Sequence, residues 1–181
     1  MKPYLLVTYN YIRLKLKRLF GKHKLQLHGI SMLSCRTRLS IDKTAAVVFG
    51  DRIVSDGRAV IIAGPNSDLS IGKRVYFNED AMISCMDSVT IADGCRFGPN
   101  VKIFDNDHRF DAINGVSSNH ATAPITIGKN CWLASNVVIL RGTSIGDNCV
   151  IGANCVVKGR IPAGSIVTQA RELKIRPIES R

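Results

Sequence analysis

The stretch from Ile127 to Pro162 divides into six frames of six residues: IGKNCW, LASNVV, ILRGTS, IGDNCV, IGANCV and VKGRIP. Ile127, Leu133, Ile139, Ile145, Ile151 and Val157 open them. The same frame extends back to residue 71 as IGKRVY, FNEDAM, an eight-residue ISCMDSVT, IADGCR, FGPNVK and IFDNDH, opened by Ile71, Phe77, Ile83, Ile91, Phe97 and Ile103. A period of six fits neither a helix nor a simple strand alternation, so it belongs to a larger repeating unit. The unit that fits is a coil of parallel sheet with three short flat strands, about 18 residues per turn. Each opening residue points into the prism, and the small residue at the fifth position is expected near a corner. Gly72, Gly98, Gly128, Gly146 and Gly152 follow opening residues directly, where bulk would crowd the turn. Such coils bury their apolar edges only against neighbouring coils, so stability comes from stacking. The frames amount to about four coils, and Ile41, Val47 and Ile53 suggest one or two more before them. The fold class is therefore all-β, a solenoid over 46–168 carrying one long loop (104–124), with a basic leader over 1–45 and a tail over 169–181.

Composition agrees. The 181-residue chain is 45% hydrophobic and 22% charged, too apolar for a disordered chain, and no run of about 20 apolar residues spans a bilayer. The net charge of +11 is concentrated at one end: residues 1–41 hold nine Lys and Arg and no acid, Asp42 being the first. Within that leader Leu5, Tyr9, Ile12, Leu16 and Leu19 recur at helical spacing, with Arg13, Lys15, Lys17, Arg18 and Lys22 around them. The pattern predicts an amphipathic helix that either touches an anionic membrane surface or caps the first coil. Nucleic acid is not an expected partner. Apolar residues precede the charges at the N-terminus, the reverse of a secretory signal, so the expected compartment is the cytoplasm, with a possible peripheral place on the inner membrane face. Thiols stay reduced there. Cys95, Cys131, Cys149 and Cys155 share the fifth frame position and read as small buried hydrophobes; Cys35 and Cys85 lie off that register.

The chemistry gathers where the frame breaks. Between Ile103 and Ile125 the chain reads FDNDHRFDAINGVSSNHATAP, and a long interruption of a strict solenoid is either functional or disordered. His108 sits where the coil ends, and imidazole is the natural general base for a hydroxyl or amine. Its second nitrogen needs an acceptor, for which Asp105, Asp107 or a backbone carbonyl would serve. A zinc enzyme on such a coil needs three converging histidines. The four histidines fall in the leader (His23, His28) and in this loop (His108, His120), so no metal is expected.

The frames, the DNDH loop and the segment PITIGKNCWLASNVVILRGTSIGDNCVIGANCVVKGRIPAGSIV together resemble the left-handed β-helix acyltransferases. Within that family the chain is most similar to the O-acetyltransferases of sugars and surface polysaccharides, including the galactoside, maltose and Nod-factor acetyltransferases. The resemblance implies a left-handed coil, a homotrimer with sites between subunits, acetyl-CoA as donor and a saccharide hydroxyl as acceptor, a surface or capsular polysaccharide precursor fitting best. His108 matches the catalytic histidine. Asn78 matches an asparagine at the acceptor site and Trp132 a tryptophan beside donor and acceptor; Asp105 joins them as a substrate-side candidate. Ser135 and Ala153 match positions whose backbone holds the pantetheine arm, with Lys158 and Arg176 as further cofactor contacts. Alternatives are N-acetylation of an amino sugar by the same base, or a non-catalytic β-helix scaffold.

Overall fold

The computed structural model describes residues 3–21 and 24–169. An N-terminal helix, α1 (Pro3–Phe20), is followed by short strands that wind into three parallel sheets. The first sheet stacks seven strands from Lys24–Leu27 to Arg160–Ile161, the second seven from Ser31–Leu33 to Ile166–Val167, and the third six from Arg38–Ile41 to Val156–Val157. Successive strands of the chain visit the three faces in turn, which is a left-handed parallel β-helix of about six turns.

The six-residue period arises because each face contributes two inward side chains separated by one outward one. Cys131 with Leu133, Cys149 with Ile151, and Val137 with Ile139 are all buried. The fifth frame position is thus a core position two residues before the next opening residue, not a corner position. The corner lies one residue earlier. Asn100, Asn130, Asn136, Asn148 and Asn154 occupy it with φ between 55° and 61°, the left-handed region that asparagine tolerates better than other residues with a Cβ. These side chains stack along the corners: the Asn100 amide donates to Asn136 Oδ1 at 2.8 Å, and Asn136 to Asn154 Oδ1 at 3.1 Å.

The solenoid is longer than its regular frames suggest. Strands begin at Lys24, so the expected leader boundary at residue 45 is corrected: residue 46 starts the second coil. The physical reason is spacing. Lys24 pairs with Ala46 and Ala46 with Asp68, 22 residues apart, whereas Ile127 pairs with Ile145, 18 apart. Wider turns hide the frame without disturbing the ladder. All six cysteines are free; Cys35 is exposed and the other five are buried. Burial, and then the Asp105 carboxylate, push the Cys85 thiol up to about 12.

Helix α1 lies across the strand Ser31–Leu33 at the open end of the prism. Asn10 is buried, its amide donating to the carbonyls of Leu33 at 2.7 Å and Leu6 at 2.9 Å. Leu14 is buried beside it, and the Arg13 guanidinium donates to the Thr37 carbonyl. One face of the helix therefore caps the first coil. The stripe Leu5, Tyr9, Ile12, Leu16 and Leu19 points the other way and is exposed.

Stacking leaves no space behind some turns. A Cβ on Gly128 would stand 2.5 Å from the backbone carbon of Gly146 and 2.6 Å from the Asp147 nitrogen. Gly115, at the tip of the long loop with φ +68°, meets nothing within 4 Å. Gly128→Ala should therefore cost about 1–3 kcal/mol, read as a lowered urea midpoint. Gly115→Asn should cost under about 0.5 kcal/mol, because space is open and asparagine accepts that backbone.

Candidate active site

The long loop is a β-hairpin. Asn106–Asp111 pairs antiparallel with Gly115–Thr122, placing His108 opposite His120. The hairpin closes through Asp111, whose carboxylate accepts the backbone N–H groups of Ile113 at 2.9 Å and Asn114 at 2.7 Å, and through the left-handed Gly115. Those bonds hold the Asp111 carboxyl below its ordinary range.

The hairpin's root is fastened to the coils. Asp105 is 0% exposed, and its carboxylate accepts the N–H groups of Met86 and Asp87, both at 2.8 Å, and the Asn106 amide at 3.0 Å. This corrects the reading of Asp105 as a substrate contact. Its oxygens are occupied by the turn of the preceding coil, and it has no face toward solvent. Asn106 also donates to the Ser84 carbonyl at 3.1 Å. Asp107 pairs with Arg141 Nε at 2.6 Å, tying the hairpin to the next coil. Neither aspartate orients His108.

The backbone does. His108 Nδ1 lies 3.3 Å from the carbonyl oxygen of Ser117 on the returning strand. A carbonyl only accepts, so the contact requires the proton on Nδ1 and leaves the lone pair on Nε2. His108 is exposed, and the His120 ring stands 4.6 Å away, centroid to centroid, tilted by 50°. The arrangement is a solvent-facing imidazole held in the tautomer of a base. Ser117 and His120 escaped the sequence reading because they come beside His108 only through the hairpin's register, and Arg141 because it reaches Asp107 only from the next coil. The one available signal for His120 was its mirror position across the loop.

The other candidates occupy two different edges of the prism. Asn78, Ser135 and Ala153 lie along the corner that leaves the second face for the third, and Trp132 stands on the second face beside it, 53% exposed. In the ladder Trp132 pairs with Arg96 and Val150. The hairpin with His108 leaves from the opposite edge, where the third face passes to the first, and Lys158 follows the last strand of the third face on that same edge. A single chain therefore does not gather the predicted site: the third face separates Asn78, Trp132, Ser135 and Ala153 from His108 and Lys158. Arg176 lies outside the described residues.

Comparison with known proteins gives this geometry a context. Residues 124–159 match the model of the bacterial transferase hexapeptide (six repeats). Galactoside O-acetyltransferase of Escherichia coli K12 is 36% identical over 115 residues, covering 64% of this chain and 57% of the relative. A putative lipopolysaccharide biosynthesis O-acetyl transferase, WbbJ, of the same strain is 32% identical over 127 residues, covering 65% and 61%. The chain thus spans less than two thirds of the length of either. Among solved structures, AntD, an N-acyltransferase from Bacillus cereus in complex with dTDP-4-amino-4,6-dideoxyglucose and coenzyme A, matches with a TM-score of 0.66 at 13% identity, over 92% of this chain and 89% of that one. That likeness shows the fold. Residues 124–159 are repeats of the bacterial transferase hexapeptide type, and the chain carrying them is similar to the hexapeptide-repeat acetyltransferases.

Proposed function

We propose that the protein is an acetyl-CoA-dependent O-acetyltransferase acting on a saccharide hydroxyl in the cytoplasm, with a surface polysaccharide precursor as the acceptor class. The observation that carries this reading is His108, fixed by the Ser117 carbonyl with Nε2 free, on a hairpin that interrupts a hexapeptide β-helix. The similarity to a galactoside O-acetyltransferase and to a lipopolysaccharide O-acetyl transferase supports the acceptor class.

The chemistry is direct transfer. His108 Nε2 takes the proton of the sugar hydroxyl as its oxygen bonds to the thioester carbonyl carbon. The C–S bond then breaks, and the imidazolium returns the proton to the departing thiolate. Backbone N–H groups at the coil corner near Ser135 and Ala153 stabilise the developing oxyanion and seat the pantetheine arm. Trp132 lies beside both substrates, Asn78 orients the acceptor, and Lys158 and Arg176 meet the phosphates. The reaction requires no metal.

The same geometry supports a homotrimer. On the third face the outward side chains Val60, Ile62, Met82, Phe104, Val138 and Leu140 form a partly exposed apolar surface, with Lys102 among them and Arg38 and Ser40 at its first-coil end. Parallel sheets are seldom left bare to water, and closed cyclic assembly covers such a face. With the third faces gathered around a three-fold axis, the His108 edge of one protomer meets the Trp132 edge of the next. The halves that one chain keeps apart then form one site.

Replacing His108 by Ala should lower kcat/KM by about 10²–10⁴-fold while the KM for acetyl-CoA stays near its wild-type value, measured as release of free CoA. Near-normal turnover in that variant would remove His108 from the mechanism. Light scattering should give about three times the 19.8 kDa chain mass. Co-expressed H108A and W132A chains, each inactive alone, should recover activity at about one quarter of their sites, the fraction expected for random trimers with shared sites. Absence of recovery in mixed trimers would place the whole site within one chain.

A further inference from the structure

From the two opposed faces of α1 we infer that the helix is a membrane foot as well as a cap, laying its outer stripe on an anionic bilayer while its inner face closes the solenoid. Cap and foot are not alternatives here. Asn10 and Leu14 face the first coil and are 1% and 3% exposed, whereas Leu5, Ile12, Leu16 and Leu19 on the far side are 59%, 52%, 49% and 75% exposed. Tyr4 and Phe20 extend the apolar surface at either end of the helix. A monomer has no packing reason to display such a stripe, and contiguous exposed apolar surface marks an interaction site.

Charge selects the occupant. Among residues 1–41 there is no acid, so an anionic surface is the complement and a second copy of this helix would be repelled. The cations stand where a bilayer's headgroups would be. Lys15 borders the stripe on one side with exposed Arg18 a step beyond it, whereas Arg13, on the other border, turns its guanidinium inward to the Thr37 carbonyl. Lys15 Nζ sits 4.4 Å from the Tyr11 ring centroid and the Arg13 guanidinium 5.7 Å from that of Tyr9. Tyrosines bracketed by cations suit the boundary between headgroups and acyl chains. Among the described residues no helix is long and apolar enough to cross a membrane. An 18-residue helix with one apolar stripe and a cationic border lies in the interface plane instead. The helix rests on the first coil, so in the trimer proposed above three such feet would share one end of the prism and bind with avidity. The contact itself does not depend on that reading or on the transferase reading.

The test is sedimentation of the full chain with vesicles of phosphatidylcholine containing about 30% phosphatidylglycerol, beside vesicles of phosphatidylcholine alone. Wild-type protein should pellet with the anionic vesicles only, and binding should fall steeply between about 0.05 and 0.5 M salt. K15A/R18A should weaken it about 30-fold, and Leu16→Ser with Leu19→Ser by tenfold or more. Both variants should keep the wild-type thermal midpoint and the wild-type CoA release with a soluble acceptor, because the substituted side chains are exposed and far in sequence from His108. Equal binding to neutral vesicles, or none to either, overturns the proposal. So does a change in oligomer mass in the serine variant without vesicles, which would assign the stripe to contacts between copies of the chain. Loss of CoA release in the His108 variant with vesicle binding intact separates the two proposals.

Discussion

Everything in this molecule answers to the in-register parallel ladder between successive coils. Each turn presents its N–H and C=O groups to the turn above and below, as in the runs from Arg96 N to Cys131 O and from Trp132 N to Cys149 O, both at 2.9 Å. Parallel pairing in register fixes which residue lies over which, so every residue has a column and each column a chemical character. In the column that holds Gly72, Ala92, Gly128 and Gly146, a Cβ on any of the three glycines would stand within 2.7 Å of the backbone of the next coil. The corner columns are rich in asparagine and glycine because their backbone is left-handed, with Arg74 and Asp80 holding the same conformation in earlier coils. Inner columns hold branched aliphatics and thiols. A departure from the ladder must be tied back to it at both ends, which Asp105 does on one side of the hairpin and the Ala123 N–H to the Asp105 carbonyl, at 3.0 Å, does on the other.

The solenoid was legible in the sequence wherever turns were of uniform length. From Ile71 to Val157 the opening residues give the faces and the burial correctly, with Ile103 and Ile139 fully buried as expected. Before residue 68 the wider turns break the count, although the strands themselves, such as Ala46–Phe49 and Val60–Ala63, keep the same inward alternation. Helix α1 was legible as amphipathic, but periodicity reports only that two faces differ. That the polar-looking side is the one packed inward depends on Asn10 finding the Leu33 carbonyl, a partner 23 residues away.

The site was legible in part for a related reason. His108 announces itself by standing at a break in a repeat. The group that sets its tautomer does not, because a backbone carbonyl carries no residue type, and Ser117 comes opposite only through the hairpin's irregular register. Asp105 was misread because a carboxylate that accepts two backbone N–H groups and one that faces a ligand look alike as letters. The column logic also explains why Asn78 and Trp132 cannot reach His108 within one chain. Residues on different edges of a straight prism stay on different edges however far the solenoid extends.

The same columns give the thiols a use as internal witnesses. Cys95, Cys131 and Cys149 sit one above another, each with its sulfur near the carbonyl of a turn in the next coil, at 3.0, 3.1 and 3.1 Å from Gly128, Gly146 and Pro162. A thiol reagent reaches one of them only when the coil above lifts away, while Cys35 lies open from the start. Coils near an end lift more readily than coils in the middle of a stacked array. The order in which this column becomes modified therefore records the direction from which the solenoid unwinds, and the chain carries that recorder without any label having been engineered into it.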